Sequence, residues 1–118
     1  MNEFELIARL TSSLPTNPSV VVGAGDDCAV LDLGLGERFL LFKTDAVVEG
    51  IHFARETLPR SIGHKALARC LSDIAAMAGQ PTAALVTLGL PRAFDPAHVE
   101  SIYTGMTELA RRYDTAIT

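Results

Sequence analysis

The stretch Cys28-Ala29-Val30-Leu31-Asp32-Leu33-Gly34-Leu35-Gly36-Glu37-Arg38-Phe39-Leu40-Leu41-Phe42-Lys43-Thr44-Asp45 sets two apolar runs on either side of a glycine-punctuated turn. Residues 28–33 read as a buried strand, Gly34 and Gly36 mark a hairpin turn, and residues 38–45 read as the returning strand. Phe39, Leu40, Leu41 and Phe42 put apolar side chains on both faces of that second strand. A strand apolar on both faces is one that expects cover on both sides.

Working outward, residues 2–10 place Phe4, Leu6, Ile7 and Leu10 on one helical face, and Pro15 and Pro18 break the helix. Residues 19–22 form a short β-prone stretch that turns at Gly23 and Gly25 into Asp26 and Asp27. Residues 47–53 are extended or looped, interrupted by Gly50. From Ile62 the period becomes helical: Ile62, Ala66, Leu67, Cys70, Leu71, Ile74 and Ala75 recur at three- and four-residue spacing. Pro59 punctuates the start of this helix, and Gly79 with Pro81 its end. Residues 82–90 read as a strand. Asp95 is the N-cap of a further helix with Pro96 at its first position, and Val99, Ile102, Tyr103, Met106, Leu109 and Ala110 form its apolar face. Residues 114–118 begin another strand. Strands and helices mix without strict alternation, so the expected class is α+β, a mixed sheet with helices on one face, in a single domain over residues 1–118.

Composition narrows the function. Of 118 residues 48% are hydrophobic, which is globular rather than disordered composition. The net charge of −4 argues against nucleic acid as a partner, but leaves phosphate ligands open, because a metal ion bridges carboxylates to phosphate. Cys28 and Cys70 each fall in an apolar run, without zinc-site spacing, and read as buried free thiols. The N-terminus lacks a signal-peptide pattern, and no apolar stretch reaches the roughly 18 residues of a membrane span. The cytoplasm is the default compartment.

Three acidic segments sit in surroundings unlike solvated surface. Asp26 and Asp27 lie between a glycine turn and a buried strand, Asp45 ends an apolar strand, and Asp73 interrupts an apolar helix stretch. Carboxylates held together need a cation, or mutual repulsion raises their pKa values. Mg²⁺ suits oxygen ligands and keeps open positions for phosphate, which points to metal-assisted phosphoryl transfer. Each residue also has a plainer reading. Asp26 is a common turn cap, Asp73 is spaced to pair with Arg69 or Lys65 on its own helix, and a lone His52 is most often a packed or exposed side chain. No GxxxxGK[ST] phosphate loop, GxGxxG turn or GxSxG elbow is present.

These segments together resemble a known family. Gly23-Ala24-Gly25-Asp26-Asp27-Cys28-Ala29-Val30-Leu31 resembles the GIGDDAAVL signature of thiamine-monophosphate kinases. Thr44-Asp45 with Val48-Glu49-Gly50-Ile51-His52-Phe53 resembles their TD…V.G.HF segment, and Lys65-Ala66-Leu67-Ala68 with Leu71-Ser72-Asp73-Ile74-Ala75-Ala76-Met77 their KALA…LSDIAAMG helix. The likeness runs from Phe4 to Tyr113. The GDD and SD elements are shared with aminoimidazole-ribonucleotide synthetases, hydrogenase-maturation proteins and selenophosphate synthetases; G-x-HF and SDIAAM point to the thiamine-monophosphate kinase branch.

The resemblance implies transfer of the ATP γ-phosphate onto thiamine monophosphate, giving thiamine diphosphate with the help of several Mg²⁺ ions. By the same resemblance Asp27, Thr44, Asp45 and Asp73 are metal contacts, His52 contacts the thiamine phosphate, and Tyr103 lies in a helix that contacts ATP. No general base is nominated, because the acceptor phosphate oxygen is already largely ionised near neutral pH. The implied fold is the N-terminal domain of the aminoimidazole-ribonucleotide-synthetase-like superfamily, pairing across a homodimer so that its sheets close into a barrel. Lys43 stands where many members have Ser, Ala24 replaces Ile, and Ala78 replaces the Gly after AAM. Members continue into a GGDT motif and a second domain, so we expect a chain cut before the enzyme is complete, with little or no turnover alone. Two other readings stand beside this one: a related ATP-dependent synthetase or maturation factor with another acceptor, and a non-catalytic dimerisation or metal-binding module.

Overall fold

Two helices lie so close together that only glycine fits where they meet. In the computed structural model, which describes all of Met1–Thr118, a Cβ added at Gly63 would overlap the Ile102 carbonyl oxygen and lie 2.9 Å from the Met106 nitrogen. One added at Gly105 would overlap the Arg60 carbonyl oxygen and lie 2.8 Å from its Cα. The two glycines are reciprocal, each opening space for the backbone of the opposite helix.

The chain divides into two compact units, Met1–Lys43 and Thr44–Thr118. The first begins with helix α1, Glu3–Thr11. A capping box starts it: Asn2 Oδ1 accepts from the Glu5 amide at 2.9 Å, and Glu5 Oε2 accepts from the Asn2 amide at 3.0 Å. Its apolar face is exposed, Phe4 to 81%. Strands β1 (Val20–Val22), β2 (Ala29–Leu35) and β3 (Arg38–Phe42) follow as an antiparallel sheet in the order β1-β2-β3. The hairpin read from the sequence is present: Leu31 pairs with Leu40, Leu35 pairs with Arg38, and Gly36 in the turn has φ +69°. A register shift falls between Leu31 and Leu35, where Asp32 Oδ1 accepts from the Gly34 amide at 2.9 Å. Cys28 and Val30 are buried, while Leu33, Leu35, Phe39, Leu40 and Phe42 are exposed.

The second unit carries helix α2 (Pro59–Ala76), strand β4 (Ala83–Ala84), helix α3 (Pro96–Arg112) and strand β5 (Ala116–Ile117), with β4 and β5 parallel. Asp95 caps α3, accepting from the Ala97 amide at 3.0 Å. Leu67, Met106, Leu109 and Ala110 form the core, with Ala66, Leu71, Ala84, Val86, Ile102 and Ile117 packed around it. The helix pair thus covers one face of the β4–β5 ladder. The expected mixture of helix and strand is there, but the strands form two sheets, one antiparallel and one parallel, rather than one. The stretch 82–90 contributes only two residues to a ladder. Cys28 is buried and Cys70 half-buried, and neither forms a disulfide.

Both long helices end in a Schellman motif. After α2, the Ala78 amide donates to the Ala75 carbonyl at 3.0 Å and the Gly79 amide to the Ile74 carbonyl at 2.9 Å, with Ala78 at φ +56°. After α3, the Asp114 amide donates to Arg111 and the Thr115 amide to Ala110, with Asp114 at φ +49°. Asp tolerates this left-handed conformation better than Ala, so Ala78 is the strained cap of the two.

Two stability measurements test this account. Gly105→Ala should destabilise the protein by about 3 kcal/mol, because the clash is with backbone that cannot step aside; a change under about 0.5 kcal/mol in urea unfolding would refute the close crossing. Ala78→Gly should stabilise by about 0.5–1 kcal/mol by relieving the positive φ, and any loss of stability would show that the cap geometry is wrong.

Candidate functional site

Helix α2 turns one continuous polar face outward. His64, Lys65, Ala68, Arg69, Ser72 and Asp73 recur at the one- and four-residue steps of a single helical stripe, opposite the buried Gly63 and Leu67. Together with Asp45 they line an open cleft of about 480 Å³. Two of the expected metal-site carboxylates, Asp45 and Asp73, therefore share one cleft wholly within the second unit.

Asp45 is held by two kinds of donor. Its Oδ1 accepts from the Ala46 amide at 2.8 Å. The Arg69 guanidinium forks onto it, with Nε to Oδ2 and a terminal nitrogen to Oδ1, each at 3.3 Å. The Asp45 side chain keeps 20% of its accessible area and that of Arg69 35%. The pair is partly withdrawn from solvent, and its distances are longer than those of a tight bidentate bridge.

One turn of helix earlier, Lys65 reaches a second segment: its Nζ donates to the His52 carbonyl oxygen. The segment around His52 is a compact loop. The His52 amide donates to the Val48 carbonyl at 2.8 Å, the Gly50 amide donates to the Phe53 carbonyl at 2.8 Å, and Gly50 takes φ +79°. The Val48 amide donates to His52 Nδ1 at 2.9 Å. A ring nitrogen that accepts a backbone amide carries no proton, so Nε2 is the ring's donor. The V-E-G-I-H-F spacing thus has a local cause: glycine makes the turn, and the histidine four residues after Val48 closes it.

The remaining expected residues fall elsewhere. His52, Thr44 and Tyr103 do not line the cleft. Thr44 is exposed beside Asp45, and Tyr103 is half-buried on α3. Asp26 and Asp27 belong to the first unit and are exposed in the turn after Gly25, which has φ +119°. The plain reading of Asp26 fits: its Oδ1 accepts the Asp27 amide at 2.8 Å. His64 and Ser72 were not singled out from the sequence, although their phase on α2 matches that of Asp73.

No three His, Cys, Asp or Glu side chains gather into a closed metal cage. Mg²⁺ does not need one, because it keeps several waters and takes one or two carboxylates plus phosphate oxygens. Two carboxylates and the Ser72 hydroxyl around an open cleft are an all-oxygen donor set of that kind. No helix is long and apolar enough to cross a membrane.

The family described as AIR synthase related protein, N-terminal domain, matches residues 25–118. The thiamine-monophosphate kinase of Bacillus subtilis is 40% identical over 114 residues, covering 96% of this chain and 35% of that one. The thiamine-monophosphate kinase of Rhodopirellula baltica is 38% identical, covering 98% and 39%. Among solved structures, "AaThiL complexed with AMPPCP and TMP" superposes with a TM-score of 0.80 at 30% identity, covering 98% of this chain and 34% of that one. The thiamine-monophosphate kinase of Stenotrophomonas maltophilia gives 0.65 at 35% identity, covering 98% and 36%. The chain therefore spans about a third of the length of these relatives.

Proposed function

Because this chain belongs to the family of AIR synthase related proteins, as their N-terminal domain, we propose that it works in the ATP-dependent phosphorylation of thiamine monophosphate to thiamine diphosphate. In this reading residues 1–118 are the N-terminal, ATP- and Mg²⁺-binding and dimerising part of the enzyme, and the reaction takes place in the cytoplasm. The observation that carries the reading is the cleft on α2, where Asp45 and Asp73 meet within a chain similar from end to end to thiamine-monophosphate kinases. The neighbour complexed with AMPPCP and TMP supports ATP as donor and thiamine monophosphate as acceptor.

Asp27, Thr44, Asp45 and Asp73 are the oxygen groups assigned to Mg²⁺. When bound, Mg²⁺ supplies charge neutralisation to the phosphates. The chain's own residues do the positioning. Asp45 and Asp73 present carboxylates from a loop and from a rigid helix, and Lys65 ties the His52 loop to that same helix. His52, with its donor on Nε2, suits a phosphate oxygen of the thiamine substrate, and Tyr103 is assigned to ATP. Phosphoryl transfer draws its rate from such positioning and electrostatic complementarity rather than from covalent catalysis.

A homodimer is part of the proposal. The β1–β3 sheet exposes Phe39 to 54% and Phe42 to 66%, together with Leu33 and Leu35. Apolar exposure of this kind marks a surface that is covered in the working protein. Pairing of two such sheets into a barrel is the cover the family resemblance suggests.

Two measurements decide the matter. ADP release by the intact gene product with ATP and Mg²⁺ should depend on thiamine monophosphate, and Asp73→Asn should lower it by about 100-fold or more. Release indifferent to thiamine monophosphate, from a folded protein, would instead favour a related synthetase with another acceptor. Sedimentation at high micromolar concentration should give a dimer, and a monomer there would remove the barrel pairing.

A further inference from the structure

The Arg69–Asp45 pair bears on how the cleft takes up metal. Both Asp45 oxygens already face Arg69 nitrogens at 3.3 Å, and Oδ1 also accepts the Ala46 amide. A divalent cation bound to either oxygen would stand against the guanidinium at close range, with three positive charges around one carboxylate. The two cations repel each other, so each weakens the other's hold on the carboxylate. The fork is also built to yield: its distances exceed those of a tight bridge, both side chains keep some solvent contact, and Arg69 sits on a stem long enough to swing within an open cleft.

We propose that Arg69 is a built-in counter-ion for Asp45 which a divalent cation must displace, so that Arg69 sets the metal affinity of the cleft. The inference rests on the reading of Asp45 as a metal contact. Arg69 is a positioning residue here: before the metal arrives it holds the carboxylate aimed into the cleft, and it leaves when the metal takes over. A purely structural salt bridge would instead persist through metal binding.

The test is Mg²⁺ titration of the protein and of Arg69→Ala by calorimetry, with the Arg69 Nε–H signal followed by NMR in the unsubstituted protein. Arg69→Ala should bind Mg²⁺ about fivefold more tightly, equivalent to about 1 kcal/mol. The Arg69 Nε–H signal should move in step with saturation, toward its position in Asp45→Asn, where the pair is already weakened. An unchanged or weaker affinity in Arg69→Ala, with the variant folded by circular dichroism, overturns the proposal. So does an Nε–H signal that stays in place at saturating Mg²⁺, since a gain in affinity alone would then be a net-charge effect. If neither protein takes up Mg²⁺, the metal reading of Asp45 falls and the displacement with it; if both bind equally, only the displacement falls.

Discussion

The close crossing of α2 and α3 is the constraint on which the second unit depends. At Gly63 and Gly105 each helix uses a missing side chain to admit the other's backbone. A contact made by backbone fixes the rotation of a helix about its own axis more firmly than interlocking side chains do, because no rotamer can absorb an error. Each residue step along α2 turns the helix by about 100°. A slip of one position would put Ile62 or His64 in place of Gly63 against α3 and shift Leu67 from its seat in the core. The glycine crossing therefore does two things at once: it buries Leu67 against Met106 and Leu109, and it aims the stripe bearing Lys65, Arg69 and Asp73 at the cleft.

That stripe in turn organises the loop that precedes it. Lys65 and Arg69, four residues apart, each grip a different point of it: the His52 carbonyl and the Asp45 carboxylate. The His52 loop arrives partly made, since its own amide bonds and the left-handed Gly50 close it without help from the helix. Its placement on α2 is then a matter of docking a preformed turn, which costs less conformational entropy than ordering a free loop. Local chemistry shapes the loop, and the helix face decides where it sits.

The elements with strong local signals were legible in the sequence. The α2 and α3 helices begin at the prolines that announce them, Asp95 caps as its residue type suggests, and the Gly36 hairpin forms where it was read. What escaped was set by contacts distant in sequence. The stretch 82–90 has strand composition along its length, yet a ladder forms only where β5 reaches it, at Ala83 and Ala84. The role of Gly63 cannot be seen without Ile102 opposite. In the site, the four-residue spacing already put Lys65, Arg69 and Asp73 on one helical face; what escaped was His64 and Ser72, one step away on the same stripe. The capping strain at Ala78 was visible only as a departure from the family's Gly, and the positive φ supplies its physical meaning.

The sequence also suggested that clustered carboxylates must have a cation. The structure supplies two such cations from the chain itself. Around the cleft stand two carboxylates, Asp45 and Asp73, and two fixed cations, Lys65 and Arg69, so the formal charge is balanced within the fold itself. A site balanced in this way can fold without its metal, because no carboxylate waits for an external ion to relieve repulsion. The cost appears on binding, since an incoming cation enters a neutral cleft rather than a negative one and must compete with a tethered rival. If the cleft is the proposed Mg²⁺ site, bare divalent cations would be held weakly there, and a ligand that brings its own negative charge would restore the attraction. On the proposed reading of this cleft, a metal-bound polyphosphate would have the advantage over the free ion, the selectivity a phosphate-transferring site requires.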